Sequence, residues 1–295
     1  MSFQLIDAKR ADLSIETACA VLNVSESGFH AWKNRLVSHR QADDMVMLAH
    51  IRADFESSHE TYGSPRMYAE LKERGLAIGL HRVALLMSEN GMKARQKTRF
   101  KKTTDSDHGG PVATNVLEQD FTADAPDQKW GVDISYVWTA EGWLYLAIVL
   151  DLFSRKIVGW SMSDRMKRGL AMDALRRAIA LRKPDEGLIH HSDRGSQYCS
   201  ADYREMVRSA GFVASMSGCG NCYDNAMVES VFKTIKEELV WRMSFVSRDQ
   251  AQKAIGHYIE GFYNPRRRHS SLGYVSPASF EKKYAEENLR TNALH

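Results

Sequence analysis

The chain has 295 residues and a formal net charge of +3, with 43% hydrophobic and 26% charged residues. These values are those of an ordinary soluble globular protein with room for a catalytic domain and small accessory domains. No run of about 18 apolar residues is present, which excludes a membrane span, and the first residues lack the apolar segment of a signal peptide. We therefore expect a cytoplasmic protein, in which the four cysteines are free thiols.

The first 105 residues predict two helix–turn–helix units. In 14–36 a short helix is followed by a turn, after which Ser25 can cap a second helix. In 62–93 a helix with Pro65 in its first turn is followed, after a glycine break, by another helix. This arrangement lays its second helix into a DNA major groove, although short helix pairs also occur for other reasons. We interpret 1–105 as a helical DNA-binding region.

Basic residues cluster at two places outside the central region. The first cluster lies in a linker, 93–105, where lysines and arginines follow one another with no acid among them until Asp105. The second is a loop at 266–269. Such clusters are candidate phosphate contacts, and a solvated linker and a surface loop are equally compatible alternatives. The candidate DNA contacts in these clusters and on the second helix pair are Arg66, Arg82, Lys97, Arg99, Lys101, Arg266, Arg267 and Arg268.

From Lys129 the sequence changes to period-two alternation and continuous apolar runs, which are typical of strands. Three strands come first, with a hairpin turn at 140–142, and helices then alternate with two further strands. This order predicts an α/β fold over 120–245: a ribonuclease-H-like mixed five-stranded sheet flanked by helices, preceded by the all-α region. The predicted strands are 129–139, 143–154, 156–164, 187–192 and 212–216, and the predicted helices are 167–182, 200–210 and one that begins near 226.

Three acids are placed where a catalytic site is expected. Asp133 lies inside the first strand, where a charge is expensive unless it is paired or holds a metal. Asp193 lies where the fourth strand ends, a usual position for a functional acid in an α/β sheet. Glu229 lies on the helix that follows the fifth strand, and Lys233 and Lys236 come one and two turns after it. A surface Glu–Lys pair is the alternative for these last three residues.

Oxygen ligands without a matching set of histidines and cysteines favour Mg²⁺ or Mn²⁺ over Zn²⁺. Two such ions about 3.5–4 Å apart can activate the attacking oxygen and stabilise the leaving oxygen of a phosphoryl transfer. The three acids therefore predict a site for two divalent ions.

Several polar residues near the predicted core have structural as well as functional interpretations. Asp151, at the end of the second strand, competes for a metal role, but we interpret it as structural. Asp224 and Asn225 are predicted to cap the catalytic helix. His190 and His191 are predicted to be a strand pair, one inward and one outward, and not catalytic bases.

Cysteine and tryptophan side chains add two further interpretations. Cys219 and Cys222 have the spacing of zinc ligands, but the sequence contains no second pair, so plain thiols are favoured. The tryptophans of the first three strands are predicted to fill the core or flank the sheet, with DNA stacking as a minority interpretation. They are Trp130, Trp138, Trp143 and Trp160.

Residues 246–295 predict a C-terminal helical extension. Apolar residues recur at helical spacing over 247–262, so this helix would cover one face of the sheet. The basic loop 266–269 would project after it, and Pro277 begins a last helix near 278–288.

Longer motifs in this order resemble a known family. The spacing Asp133…Asp193-x35-Glu229 resembles the DDE core of retroviral integrases and bacterial transposases. More narrowly, the chain resembles the second-reading-frame (OrfB-type) transposases of the insertion sequence three (IS-three) family from about Tyr62 to Tyr284, and more loosely back to Ala18. The motifs that carry this resemblance are WGVDISYVWTAEGWLYLAIVLDLFSRKIVGW, HSDRGSQY, CYDNAMVESVFKTIKEEL and YNPRRRHSSLGYVSPASF.

The resemblance implies a DNA transposase that carries out metal-dependent strand cleavage and strand transfer at the ends of an insertion sequence. By position, Asp133, Asp193 and Glu229 would be its metal-binding triad, and Lys236 would contact DNA near them. The implied partners are double-stranded DNA (terminal repeats and target), further copies of the chain, and a first-frame (OrfA-type) partner or fusion. A bacterial, nucleoid-associated location follows. The alternatives are a ribonuclease-H-like nuclease that does not join strands and a DNA-binding regulator with an inactive core.

Overall fold

The structure is a computed structural model that describes residues 2–9, 12–36, 38–94, 112–218 and 222–292. Three predicted DNA contacts in the linker, Lys97, Arg99 and Lys101, lie outside these residues, and so does Cys219. The side chain of Cys222 also lies outside the described part of the chain. Within the described residues, none of the helices is both long enough and apolar enough to span a bilayer.

Among the described residues, six helices precede the sheet. They are α1 (Ser2–Ala8), α2 (Ile15–Val21), α3 (Glu26–Lys33), α4 (His39–Ser57), α5 (Ser64–Glu73) and α6 (Leu80–Glu89). Both predicted helix pairs are present, as α2 with α3 and as α5 with α6. Ser25 caps α3 as predicted, because its Oγ accepts a hydrogen bond from the Gly28 amide at 3.1 Å. Helix α1 is not predicted from the sequence. Its single buried residue, Ile6, packs with Ala18, Cys19 and Phe29 in a small hydrophobic cluster that is separate from the core of the sheet.

The central sheet has five strands in the order β3-β2-β1-β4-β5. Strands β2 and β3 run antiparallel to their neighbours, whereas β4 and β5 run parallel to β1. The strands are β1 (Lys129–Thr139), β2 (Gly142–Asp151), β3 (Ile157–Ser163), β4 (Ile189–Ser192) and β5 (Val213–Met216). This order and these directions confirm the predicted ribonuclease-H-like arrangement.

Helices cover both faces of the sheet. They are α7 (Arg168–Arg182), α8 (Ser196–Cys199), α9 (Ala201–Ser209), α10 (Ala226–Glu238), α11 (Arg248–His257) and α12 (Pro277–Asn292). One face, with Trp130 and Val132, packs against α7 and α9. The opposite face, with Val137 and Leu144, packs against α10 and α11. The apolar residues of α4, α5 and α6 belong to this second cluster, so these helices share the core of the sheet. The predicted domain boundaries, near 105 and 245, stay a prediction.

Gly159 lies in β3 at the point where α7 packs against the sheet. A Cβ atom at Gly159 would be 2.4 Å from the carbonyl oxygen of Ala174 and 2.8 Å from the amide nitrogen of Ala178. We expect Gly159→Ala to lower the free energy of unfolding, measured by urea denaturation, by about 2–3 kcal/mol because the helix backbone must move away.

Gly169, near the start of α7, is the matched control for this substitution. Nothing lies within 4 Å of its Cβ position, so Gly169→Ala should leave the free energy of unfolding unchanged or raise it by up to about 1 kcal/mol. Equal losses in the two variants would contradict the close packing of α7 on β3.

The C-terminal extension differs from its prediction in one important respect. Helix α11 continues as a π-helix, Tyr258–Tyr263, and the basic stretch follows it. Arg267 and Arg268 are only 3% and 5% exposed, so the prediction of a projecting basic loop is wrong for both of them. Their charges are paired inside the protein, as buried charges must be, whereas Arg266 is exposed.

Acids from two distant helices provide the partners of these arginines. The carboxylate of Glu238, on α10, accepts two hydrogen bonds from Arg267, at 2.7 and 2.8 Å. Arg268 Nε donates to Glu70 Oε2 at 2.7 Å, and its Nη2 pairs with Glu73. Through Arg268, the segment after the π-helix is bound to α5 of the N-terminal region.

Asp151, the acid interpreted as structural, has that role. Asp151 is fully buried at the end of β2, and it accepts hydrogen bonds from the amides of Asp127 (2.7 Å) and Ser154 (2.8 Å). These bonds fix the turn between β2 and β3 and the segment that leads into β1. Burial raises the pKa of Asp151.

Candidate active site

Strands β1 and β4 bring two of the predicted catalytic acids together. In their parallel ladder Val132 pairs with Ser192, the last residue of β4. The next residue on each strand is Asp133 and Asp193, so the two carboxyl groups leave neighbouring strands at the same level. Asp193 turns back on its own loop, where its Oδ1 accepts a hydrogen bond from the Gly195 amide at 2.9 Å.

The N-terminal end of α10 is packed against β1 beside these aspartates. A Cβ atom at Gly131 would be 2.6 Å from Val228 Cγ2, so helix and strand are in direct contact there. Asn225 Nδ2 donates a hydrogen bond to the Val132 carbonyl oxygen at 3.2 Å. Glu229 follows Val228 on this first turn of α10, and its side chain is exposed.

The sequence does not predict Gly131 as part of the site, and it predicts Asn225 only as a cap of α10 and not as a bond to β1. A glycine inside an apolar strand signals the close approach of another backbone or side chain, so Gly131 could have been found by that rule. Asn225 carries no comparable signal.

The ionisation of Asp133 depends on its burial and on the other two acids. Burial raises the pKa of Asp133 well above its ordinary value of 3.8, and the negative charges of Asp193 and Glu229 raise it further. A hydrogen bond of 2.7 Å from the Ile134 amide to Asp133 Oδ1 and the charge of Lys236 act in the opposite direction. The charges of Asp193, Glu229 and Lys236 therefore all act on Asp133.

These acids do not form a finished metal site. Within the part of the chain that the structure describes, no group of three or more histidine, cysteine, aspartate or glutamate side chains is arranged to hold a metal ion. Two observations link the three acids instead. The elements that carry them, β1, the end of β4 and α10, meet at one place, and the charges of Asp193 and Glu229 act on Asp133.

The raised pKa of Asp133 makes a prediction about stability. Because the pKa of Asp133 is raised in the folded state, folded protein holds this proton at pH values where unfolded protein has lost it, and stability falls as the pH rises above about 3.8. We expect Asp133→Asn to raise the thermal midpoint at pH 7 in the absence of divalent ions and to flatten its pH dependence.

Asp120 provides a control, because its pKa is lowered in the folded protein whereas that of Asp133 is raised. A hydrogen bond from Lys129 and two from Thr122 lower its pKa to about 2. Asp120→Asn should therefore lower the midpoint at pH 7 or leave it unchanged. A fall in the midpoint for Asp133→Asn would contradict a raised pKa of Asp133 in the folded protein.

The prediction that Asp224 and Asn225 cap α10 is wrong. Asn225 occupies the N-cap position, but its side chain makes no capping bond there. Asp224 is buried and accepts hydrogen bonds from the Gly218 amide (2.8 Å), Asn115 Nδ2 (3.0 Å) and Gln119 Nε2 (3.0 Å). Both residues hold the start of α10 to neighbouring segments instead of capping it.

His190 and His191 are both buried, which corrects the expectation that one of them points outward. Strand β4 lies inside the sheet, and protein covers both of its faces. His190 Nε2 lies 3.0 Å from the Tyr203 hydroxyl, and His191 Nδ1 lies 2.8 Å from Ser215 Oγ. Burial lowers the pKa of each imidazole to about 4, so both are neutral at pH 7.

The candidate DNA contacts on the described residues differ in accessibility. Lys233 is partly exposed and lies 3.9 Å from Glu237. Burial lowers the pKa of Lys236, and the charge of Asp133 acts in the opposite direction. Arg66 is half-buried over the ring of Tyr62. Arg82 is ion-paired with Asp44.

Comparison with known proteins gives consistent matches along the chain. Residues 123–222 and 210–277 match two family models that are both described as an integrase core domain, and residues 41–100 match an HTH-like domain. The chain is 43% identical over 289 residues to the transposase InsF for insertion sequence IS3A of Escherichia coli (strain K12), with 96% of this chain and 99% of that protein covered.

The chain is 45% identical over 266 residues to an uncharacterized 31 kDa protein of insertion element IS600 from Shigella sonnei, with 90% of this chain and 98% of that protein covered. Among solved structures, the HTLV-2 integrase catalytic core domain in complex with magnesium (trimeric form) is 16% identical, with a TM-score of 0.43. That match covers 54% of this chain and 99% of the other chain.

Proposed function

The chain belongs to the IS3 family of insertion-sequence transposases, and from this premise we propose that Asp133, Asp193 and Glu229 catalyse its strand cleavage and strand transfer. The enzyme is a polynucleotidyl transferase of DNA transposition, and DNA is its partner. The observation that supports the three residues is that β1, the end of β4 and α10 meet at Asp133, whose pKa is raised by burial and by the charges of Asp193 and Glu229.

The proposed reaction has two phosphoryl-transfer steps. In the first, a water oxygen attacks the phosphodiester at the element end, and the bond from phosphorus to the 3′ oxygen breaks to give a 3′-OH and a 5′-phosphate. In the second, the oxygen of this 3′-OH attacks a target phosphodiester and forms a new P–O bond. The bond from that phosphorus to the target's 3′ oxygen breaks, and the proton of the attacking hydroxyl is balanced by the 3′-OH that is left on the target strand. Lys236, beside Asp133, would hold the attacked phosphate by charge.

The chemistry of the acids fits a divalent cation. Three carboxylates that repel one another offer only oxygen donors, which is the ligand set that Mg²⁺ and Mn²⁺ prefer. We propose that Asp133, Asp193 and Glu229 hold two such ions, which would supply Lewis-acid stabilisation of the phosphoryl transfer.

DNA contacts along the chain are part of the same proposal. The helical region 1–105 would recognise the element ends, the core 120–245 would cleave and join, and the extension 246–295 would support the core. The proposed backbone contacts are Lys233, Lys236 and Arg266, the linker residues Lys97, Arg99 and Lys101, and also Arg66 and Arg82, although the last two already have partners within the protein. Affinity should fall steeply with salt concentration.

Assembly and location follow from the reaction. Two element ends must be brought together, so we propose a homo-oligomer that acts on the bacterial nucleoid, with an OrfA-type protein as partner or fusion.

A strand-transfer assay with labelled element ends and a supercoiled target tests the proposal. We expect joined products in Mg²⁺ or Mn²⁺ and none in Ca²⁺, because Ca²⁺ binds with looser coordination that positions the reacting oxygens less well. Nicked target without joined product would favour a nuclease instead. As a readout without activity, Mg²⁺ should raise the thermal midpoint of the wild type and leave that of Asp193→Asn unchanged.

A further inference from the structure

Three large aromatic side chains are exposed at the far end of the β1–β2 hairpin. Tyr136, Trp138 and Trp143 are 38%, 59% and 44% exposed, and we call them the aromatic ledge. Trp138 and Trp143 are direct partners in the antiparallel ladder, with ring centroids 4.7 Å apart and planes at 74°. Tyr136 and Trp143 are 5.1 Å apart at 83°. An edge-to-face pair leaves ring faces open for further stacking.

The position of the ledge explains why it is exposed. Side chains alternate along β1, so Tyr136 and Trp138 lie on the same sheet face as Trp130 and Val132. Trp130 and Val132 are covered by α7 and α9, but this cover does not extend to the end of the hairpin. Strand β4 pairs with β1 only as far as Val132, so the second half of β1 runs beyond it. An exposed aromatic cluster at such a place marks a binding surface.

The ledge is continuous with the proposed active site. The Nζ atom of Lys236 lies 4.8 Å from the ring centroid of Tyr136, and the same ammonium group interacts with Asp133. Lys236 thus connects the electrostatic surroundings of Asp133 with the ring of Tyr136.

Charged groups lie at both ends of the ledge. Lys236 lies at the end near the carboxylates. At the other end Arg248 Nε donates a hydrogen bond to the Trp143 carbonyl oxygen at 3.0 Å, and its amide donates to Glu141 Oε2 at 2.9 Å. Two basic side chains with aromatic faces between them match a strand that has phosphates along one side and unpaired bases along the other.

We propose that the aromatic ledge stacks unpaired bases of the DNA strand whose phosphate lies at Asp133, Asp193 and Glu229. The position of that strand rests on the proposed function. A paired duplex shows base faces only at its end, so the ligand is a frayed or single-stranded DNA terminus, and Trp138, the most exposed of the three, provides the principal stacking surface.

The test compares two strands on the full-length Asp193→Asn protein, in which strand transfer is blocked. One is an oligothymidylate of about 15 nucleotides, within the usual site size of such surfaces, and the other is an abasic strand with the same phosphates. We expect the base-bearing strand to bind more tightly and to quench tryptophan fluorescence. Adding Trp138→Ala should weaken its binding by between about 5- and 100-fold and remove most of its advantage.

Two further variants make the outcome decisive. Trp138→Phe should recover most of the affinity, because a phenyl ring still stacks, and Leu181→Ala, an exposed apolar residue on α7, should change nothing. Equal binding of both strands by the parent protein would overturn the proposal. The proposal would also be overturned if Trp138→Ala changed the molecular mass in light scattering but left DNA binding unchanged, since the ledge would then be an interface between copies of the chain. If the strand-transfer assay contradicts the proposed role of the three acids, this binding result still stands. The proposed function and the stacking proposal can therefore fail separately.

Discussion

Asp193→Asn is expected to lower the rate of strand transfer by on the order of 10³-fold or more, with the protein still folded. Ions that are held by carboxylates contribute several kcal/mol to stabilising a phosphoryl-transfer transition state, and each 1.4 kcal/mol is a factor of ten in rate. Asparagine keeps the shape of the side chain, and its amide can still accept the hydrogen bond that the Gly195 amide now donates to Oδ1. The loss should therefore appear in the chemical step. Single-turnover strand transfer with labelled ends measures it.

Glu229→Gln should have an effect of similar size, although Glu229 lies on α10 and not in the sheet. Asp202→Asn is the control, because Asp202 is an exposed acid on α9 that is paired with Arg168 at 3.1 Å; it should retain full activity. A Glu229→Gln protein with every activity unchanged would support a DNA-binding regulator with an inactive core. Circular dichroism and thermal midpoints separate a catalytic loss from unfolding.

The sequence was informative about the sheet for a physical reason. Strands that are buried on both faces must be nearly all apolar, so the runs at β1 and β2 are easily recognised, and Asp133 stands out against them. The same logic places Asp193 at the end of β4. Helix α1 was missed because a helix of seven residues with one buried residue shows little periodicity.

The ion pairs could not be predicted, because their partners are far apart in the chain. Arg267 and Glu238 are 29 residues apart, and Arg268 and Glu70 are 198 residues apart. A run of arginines is typical of a solvated or DNA-facing loop, and only the tertiary fold shows that two of the three are buried. Asp224 was misassigned for the same reason: its partners, Asn115 and Gln119, precede the sheet.

Breaking the Glu238–Arg267 pair is the second substitution from which we expect a large effect. Glu238→Gln should lower the free energy of unfolding by about 3–5 kcal/mol, since it leaves the guanidinium of Arg267 buried without a compensating charge. Tyr258, whose hydroxyl donates to Glu238 Oε2 at 2.6 Å, keeps a partner in the glutamine side chain. Urea denaturation at pH 7 measures the loss.

The pH dependence tests the same pair from the acid side. Burial alone would raise the pKa of Glu238, but the hydrogen bonds and charge of Arg267 bring it below its ordinary value of 4.5. A depressed carboxyl pKa stabilises the folded state above about pH 4.5, and this stability is lost as the pH falls through the folded-state pKa. Glu238→Gln should remove this part of the acid transition, and the wild type and the variant should converge in stability at low pH.

A double substitution separates the cost of an unpaired charge from the value of the pair. Glu238→Leu with Arg267→Met removes both charges and fills similar volume, so it should recover most of the stability that either single change loses. If the double variant loses the sum of the two single losses, the two side chains do not interact energetically. The buried pair would then not be what joins the end of α10 to the segment after the π-helix.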